Sequence, residues 1–357
     1  MVQTLNAHGL LNATDSATSS SLVGSSPGET GAGGLRGSES YEHRTTELGT
    51  RRDRVRGISV TTPTLLANRC NELLTQGFQF FVVASQPNLD RFDLRPFGMP
   101  VTPLPFLAPD RHSWSTDVFL RLFNSMNAQA FGPRGLELPN WVLVDNVLLS
   151  SGLFIAACDP QRLDMIAEAL PLTPEERGVL ARLVGEASAT GYAGPIPVAA
   201  YCAAPTADRD RWVGWSLTSV VPRSGLAFVT KGLALRTYGA ATLVGVTQYD
   251  NLALRIHTKF GPARIEAARV GLHTAPNTLV YATDVCRWLD GRADRGPGAT
   301  PTWLVSAADA ERHAEMQQML DARTHTLMIL PPGIIIQDDE CVVPVLVTDY
   351  ADPKIHP

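Results

Sequence analysis

Residues 213–262 alternate between strand and helix patterns, and this alternation restricts the fold more than any other feature of the sequence. The apolar run 213–221 is followed by a short polar turn and by a helical segment that ends at Gly239. A second apolar run, 241–249, follows shortly after. Interleaved elements of this kind predict an α/β or mixed α+β fold, with a central sheet flanked by helices. Further strands are predicted at 78–86, 196–205 and 277–285.

The overall composition limits the class of protein. The chain has 44% hydrophobic and 18% charged residues, which is typical of a globular protein. Its formal net charge of -5 argues against nucleic acid as the main partner. No apolar run approaches 18 residues, which argues against a membrane span. Five cysteines without a CxxC pair indicate reduced thiols, so we expect a cytoplasmic protein.

Composition also divides the chain into segments. Residues 1–57 include "SATSSSLVGSSPGETGAGGLRGSES" and predict a disordered, low-complexity head, because such a segment buries too little apolar surface to offset its ordering entropy. Residues 112–285 carry the regular alternation and form the predicted core. Residues 58–111 and 286–357 are predicted N-terminal and C-terminal extensions. Each extension is a candidate for a substrate lid, a homodimer contact or a second half-domain.

Two segments upstream of the alternating region carry local predictions. Residues 141–159 suggest two strands that join near residues 150–152. Asp145 would then lie within an apolar strand, where a carboxylate needs a partner or a raised pKa, so it is a site candidate. Thr173, Pro174 and two glutamates predict a helix start, with a capping hydroxyl and acids in the first turn.

The turn "PRSG" at residues 222–225 is a candidate ligand site. Gly225 and Ala227 are small enough to let another group approach the backbone. A helix that starts at this turn points unpaired N–H groups and its positive dipole end outward, which suits an anion. The next strand leads to Asp250 and Asn251, which can cap a second helix. Two helix starts beside one strand could flank a cleft for a phosphate-bearing ligand.

This order of elements resembles the GNAT-type N-acyltransferase superfamily. Gly225-Leu226-Ala227 matches the Gly-x-Gly/Ala half of the family's pyrophosphate loop, and "DNLALRIHTKFG" is similar to its later Asn-to-Gly helix. The resemblance covers about residues 112–285. Pro222 departs from the loop's usual Gln or Arg, and Arg223 is the candidate that replaces this phosphate contact. His257 stands where the family often has tyrosine.

The resemblance implies transfer of an acyl group from acyl-CoA, or from an acyl carrier protein, to a small-molecule amine. Splayed strands would hold the acyl chain, and strand N–H groups would polarise the thioester carbonyl. His257 would protonate the leaving thiol, and His273 or Asp145 would assist the amine. No metal is expected, and a homodimer remains open. The residues that would hold the donor are Ser219, Val220, Val221, Arg223, Gly225, Ala227 and Asn251.

Other interpretations of the same residues stay open. The departures from the loop motif are compatible with a GNAT-like thioester lyase, such as a decarboxylase, or a hydrolase. They are also compatible with a non-catalytic ligand-binding or scaffold protein. Cys202 is an alternative nucleophile, although a cysteine in an apolar strand is more often simply buried. His257 and His273 lack the spacing of a metal-binding motif.

Overall fold

The computed structural model describes most of the chain from residue 62 onward. The described ranges are 62–106, 117–134, 137–149, 151–208, 210–271, 277–292 and 299–350. They belong to one compact unit, Gly57–Pro357. The predicted head, residues 1–57, lies outside the described residues.

Twelve strands of the described chain form one mixed sheet. They are β1 (Phe78–Ala84), β2 (Thr102–Pro105), β3 (Gly152–Cys158), β4 (Ile196–Pro205), β5 (Arg211–Ser219), β6 (Thr242–Gln248), β7 (Ala263–Ala267), β8 (Thr278–Asp284), β9 (Trp303–Ser306), β10 (His325–Ile329), β11 (Ile335–Gln337) and β12 (Glu340–Asp349). Their order is β11-β12-β10-β7-β8-β6-β5-β4-β3-β1-β2, and β9 pairs with β12. The β1/β2 and β5/β6 pairs are parallel, and the other pairs are antiparallel.

Helices interrupt the strands along the whole described chain, so the predicted mixed α+β class is confirmed. They are α1 (Thr62–Thr75), α2 (Gln86–Leu89), α3 (Val118–Phe131), α4 (Asn140–Leu149), α5 (Pro160–Ala169), α6 (Pro174–Ala189), α7 (Leu226–Tyr238), α8 (Leu254–His257), α9 (Val285–Leu289) and α10 (Ala310–Asp321). Short 3₁₀ turns occupy Pro96–Gly98, Gly132–Arg134 and Thr258–Phe260. Within the described ranges, no helix combines the length and apolar character needed to cross a membrane.

The extensions predicted on either side of the core continue its sheet. On the N-terminal side, β1 pairs with β3, and α1 packs against α7. On the C-terminal side, β10 pairs with β7 and β12 pairs with β10. Two buried apolar clusters result. Helix α7 belongs to the larger one, and α10 contributes Met316 to the smaller one.

Helix α7 lies at the centre of the larger cluster. Eleven of its thirteen residues are buried, including Lys231. It contacts β3, β4 and β5 on the sheet and α1 and α9 on its other sides. Gly232 lets α1 come close, because a Cβ there would lie 2.6 Å from the side chain of Leu66. Packing against the sheet and against α1 and α9 fixes the position of α7.

Strands β5 and β6 are hydrogen-bonded along only part of their length. Their parallel register runs from Arg211 opposite Thr242 to Gly214 opposite Gly245. Beyond this point β5 pairs with β4 alone, and β6 pairs with β8 alone. The two strands therefore separate within the sheet, and the separated part of β5 leads toward the N-terminus of α7.

The prediction of two strands at residues 141–159 is half wrong. Only β3 is a strand, and the preceding run is helix α4. Its buried residues Val142, Leu143, Asn146 and Val147 follow helical spacing. A short apolar run does not distinguish a strand from a buried helix by periodicity alone, which explains the error.

Candidate functional site

The turn between β5 and α7 is held by its own side chains. Ser224 is buried, its hydroxyl donates to the carbonyl of Val221 over 2.7 Å, and it accepts from the Leu226 N–H over 3.2 Å. Arg223 and Gly225 have positive φ values of 61° and 76°. Gly225 tolerates this conformation without strain because it lacks a Cβ. The turn therefore presents the start of α7 in a defined geometry.

The N-terminus of α7 has unsatisfied donors. Leu226 N–H is bonded to Ser224, and Val229 N–H donates to the carbonyl of Gly225 over 3.1 Å. Between them, the N–H groups of Ala227 and Phe228 have no acceptor among the described residues. A thirteen-residue helix adds the positive end of its dipole at this point. The arrangement suits an anion.

A cavity of about 570 Å³ opens at this helix end. It is lined by the last residues of β5, the turn, the start of α7 and the segment around α8. Five of the seven residues that sequence analysis assigned to the donor line it: Ser219, Val221, Arg223, Gly225 and Ala227.

Val220 does not line the cavity, and its N–H donates to the carbonyl of Val198 over 2.9 Å. The N–H of Val221 donates to the hydroxyl of Ser219 over 3.4 Å. These two donors are thus bonded within the protein. The unsatisfied donors at the cavity belong to the first turn of α7 instead.

Arg69 of α1 is a site residue that sequence analysis missed. Its guanidinium donates through Nε to the carbonyl of Ser224 over 3.0 Å and contacts the same oxygen through Nη2. It also pairs with Glu72 through Nη1 and lines the cavity. Because 155 residues separate Arg69 from Ser224, no local pattern in the sequence could have indicated this contact.

Lys259, in the 3₁₀ turn that follows α8, supplies a second cation to the cavity. Its side chain is exposed, and Nζ lies 4.9 Å from the centre of the Phe228 ring. Its pKa is lowered by partial desolvation and then by the positive charge of Arg69. No carboxylate among the described residues forms an ion pair with it. Lys259 therefore adds a positive charge that has no protein counter-ion in the described chain.

Arg223 lines the cavity but already has protein partners. Its Nη2 lies 2.6 Å from the carboxylate of Glu176 and 2.6 Å from the carbonyl of Pro171. Glu176 forms a capping box with Thr173 at the start of α6, and this confirms the predicted helix start with its capping hydroxyl. An anion that binds Arg223 must compete with this carboxylate.

The predicted helix that begins at Asp250-Asn251 is shorter than expected. Asn251 accepts from the Ala253 N–H over 3.0 Å, a turn contact two residues along the chain. Helix α8 begins only at Leu254 and passes into a 3₁₀ turn at residue 258. Asn251 does not line the cavity, whereas Leu252 and Ala253 do.

His257 forms a pair with Lys231, a second residue that sequence analysis missed. The Lys231 Nζ lies 2.7 Å from His257 Nδ1. Burial lowers the pKa of Lys231 to about 7. Burial, and then the adjacent lysine, hold the pKa of His257 well below its usual value. His257 itself does not line the cavity, although Ile256 and Lys259 do.

Two tyrosines surround this pair where β5 and β6 separate. The Tyr201 hydroxyl is 2.8 Å from the position of a Cβ on Gly214, and the Tyr281 hydroxyl is 2.3 Å from one on Gly245. These glycines are the last paired residues of the two strands. The Tyr281 ring centre lies 5.3 Å from that of His257. Because both glycines lack a Cβ atom, the two tyrosine hydroxyls fit beside the strands at this point.

The remaining sequence-based candidates are separate from this site. Asp145 does not lie within a strand: it is exposed on α4 and does not line the cavity. His273 lies outside the described residues. Cys202 is buried, which raises its pKa to about 12 and keeps it as an unreactive thiol. Within the described chain, no group of three or more His, Cys, Asp or Glu residues is arranged to hold a metal ion.

Comparison with known proteins adds no name to these features. No family model, curated protein or solved structure matches the chain.

Proposed function

We propose that this chain is a GNAT-like N-acyltransferase that moves an acyl group from acyl-CoA, or from an acyl carrier protein, to an amine. One observation carries the proposal. The cavity at the end of β5 combines the open N-terminus of α7 with cationic side chains from three separate parts of the chain, namely Arg69, Arg223 and Lys259.

The charge and shape of the cavity suit the phosphate end of a CoA-type donor. CoA carries a pyrophosphate, and a carrier protein carries a phosphopantetheine, so both offer oxygens to N–H groups and cations. The unbonded Ala227 and Phe228 N–H groups would donate hydrogen bonds to such an oxygen. Lys259 and Arg69, which both line the cavity, would neutralise its charge. Apolar lining residues such as Leu217 and Ile256 leave room for the pantetheine chain.

The reacting end of the donor would lie where β5 and β6 separate. Lys231 follows Gly225 by six residues, so it lies roughly 9 Å along the axis of α7 from the phosphate end. A pantetheine arm that starts at the turn is long enough to span this distance, although neither Lys231 nor His257 lines the cavity itself. An amine would attack the thioester carbonyl there, and the leaving thiolate would take a proton from His257. The free cysteines support a reducing compartment, and we place this activity in the cytoplasm.

Calorimetric titration tests the proposal with CoA, acetyl-CoA, longer acyl-CoAs and pantetheine. We expect saturable binding of the phosphate-bearing compounds and none of pantetheine at the same concentrations. Inorganic pyrophosphate should compete with CoA for the site. Absence of binding by every CoA compound would reject free CoA as the donor, and phosphopantetheine on a carrier protein would then be tested in the same way.

Product analysis distinguishes transfer from the alternatives. Incubation with acyl-CoA and a panel of amines should give an amide and free thiol in equal amounts. Release of thiol without an amide would indicate a hydrolase or a lyase. Binding without any thiol release would indicate a non-catalytic ligand-binding protein.

A further inference from the structure

We propose that Lys231 and His257 form a two-residue proton relay, in which Lys231 supplies the proton that His257 delivers to the leaving thiolate. This inference rests on the proposed function, because it assigns a proton source to that reaction. It goes beyond the single general acid that the family resemblance implies.

The geometry fixes the direction of the hydrogen bond. A protonated lysine has three donors and no acceptor, so His257 Nδ1 must accept when Lys231 is charged. The imidazole then carries its proton on Nε2. No described residue is hydrogen-bonded to Nε2, and the residue is partly exposed, so this N–H has no acceptor within the described chain. Lys231 therefore selects the tautomer of His257 that can donate.

A neutral imidazole cannot act as an acid by itself, because loss of its only N–H proton would leave an imidazolate. The relay removes this difficulty. As the C–N bond forms and the C–S bond breaks, the Nε2 proton passes to the thiolate sulfur and a Lys231 N–H proton passes to Nδ1. Lys231 becomes a neutral amine, and His257 stays neutral as the other tautomer. The hydrogen bond between them survives with its direction reversed. The attacking amine gives up one N–H proton to water as the amide forms, and Lys231 takes one proton from water before the next turnover, so the protons balance.

The surroundings of Lys231 favour the release of its proton. The side chain is 1% exposed, and no carboxylate of the described chain pairs with it. Its other neighbours are aromatic: Nζ lies 5.2 Å from the centre of the Phe260 ring and 5.9 Å from that of Tyr201. An ammonium without a counter-ion loses its proton more readily. Its pKa of about 7 allows both states near neutral pH.

The surrounding titratable groups do not compete for this proton. Burial holds the pKa values of Tyr201, on β4, and Tyr281, on β8, well above the usual range, so both phenols stay neutral. Lys259 and Arg255 lie on either side of His257 along the chain and are exposed. Lys259 lines the phosphate cavity, and Arg255 donates to the carbonyl of Ile334 over 3.4 Å. A proton that leaves Nζ therefore has His257 as its nearest acceptor in the described chain.

The ¹⁵N NMR spectrum of the histidine ring tests the relay without turnover. Spectra of full-length wild type, assigned with His257→Gln, should show the Nε2–H tautomer with Nδ1 unprotonated at pH 6. Lys231→Met removes the donor, so the tautomer populations should change and the pKa of His257 should rise. An Nδ1–H tautomer in wild type at pH 6 would overturn the relay, whatever ligand the protein binds.

Kinetics provides the second readout. Lys231→Met should lower kcat by about 100-fold or more, as expected for loss of an acid, while KM and the Kd of CoA change little. Wild-type kcat should fall as pH rises through 7, since Lys231 must be protonated to donate. Unchanged kcat in a folded Lys231→Met protein would overturn the relay. If wild type does not bind CoA at all, free CoA is rejected as the donor. The NMR experiment then decides whether the relay exists.

Discussion

The guanidinium of Arg69 covers Gly225 at the start of α7. Its Nε donates to the neighbouring carbonyl of Ser224 over 3.0 Å, and a Cβ on Gly225 would lie only 2.8 Å from this nitrogen. Gly225 is therefore required twice, once for its positive φ of 76° and once for the space that Arg69 occupies.

A comparison of Gly225 with Gly239 separates the requirement for a positive φ from the requirement for space. Gly239, at the other end of α7, has a φ of 70° but no atom within 4 Å of a Cβ. Gly239→Ala should lower the free energy of unfolding by about 1–2 kcal/mol through backbone strain. Gly225→Ala should cost about 1 kcal/mol more, because Arg69 must move and its hydrogen bond is lost. Urea unfolding measures both, and equal losses would contradict a packing role for Gly225.

Replacing Lys259 should weaken CoA binding without changing stability. Lys259→Gln removes an exposed cation from the cavity, and we expect about fivefold weaker binding at low salt. The difference from wild type should shrink as ionic strength rises. Arg121→Gln, an exposed site on α3 outside the cavity, is the charge-matched control. Equal effects of the two variants would show that only net charge matters.

Removing the charge of Glu176 should tighten anion binding. Glu176→Gln keeps an acceptor for the Thr173 N–H. It removes the ion pair in which Arg223 Nη2 lies 2.6 Å from the Glu176 carboxylate. We expect affinity for CoA or pyrophosphate to rise about threefold, the scale of one exposed ion pair. Glu175→Gln, one residue earlier, makes no contact with Arg223 and serves as the control. Calorimetry would contradict the prediction if both variants bound alike.

Stability should rise with pH above neutrality because of Lys231. Its pKa is about 7 in the folded protein and 10.5 in the unfolded chain, so the unfolded chain binds more protons between these values. The burial of the Lys231 ammonium lowers the free energy of unfolding by its full amount below pH 7, and this loss disappears toward pH 10.5. Between pH 7 and 8.5 the free energy of unfolding should increase by about 1–2 kcal/mol.

Urea unfolding at pH 7.0, 7.5, 8.0 and 8.5 measures this slope, and Lys231→Met should abolish it. The range stops at about pH 8.5 because cysteines ionise in the unfolded chain near that value. The buried thiols, such as Cys202 with a pKa of about 12, would reverse the trend at higher pH. A slope that persists in Lys231→Met would assign the effect to another group.

Alkylation should distinguish the buried cysteines from Cys341. In the native protein, iodoacetamide should label Cys341, which is partly exposed, and spare Cys202, because reactivity requires the thiolate. Mass spectrometry of the digested protein locates the label. Fast labelling of Cys202 would restore it as a candidate nucleophile.

Local patterns predicted the elements around the site well. The β-rich runs at 78–86, 196–205 and 277–285 correspond to β1, β4 and β8, because continuous apolar, β-branched segments are typical of buried strands. The turn at Gly225 and the start of α7 were predicted from glycine and helix-end chemistry. The apolar run that contains Asp145 failed because a buried helix shows the same composition.

The rest of the site depends on contacts that no local pattern reports. Arg69 reaches the turn from a helix far away in the sequence, and it stands in α1 like any other arginine on a helix surface. Lys231 sits in an apolar helix, where its burial follows from packing against the sheet on one side and α1 on another. Only the folded arrangement shows that these cations meet the glycine turn and His257.

The contact between Arg69 and Ser224 also affects the order of folding. The two residues are 155 positions apart, so a long stretch of chain must close before they can meet. Non-local contacts of this length slow folding, since the entropy of closure is lost before the contact forms. On the ribosome, α1 emerges long before its partner helix has been synthesised. The anion site should therefore assemble late, after most of the intervening strands have been made.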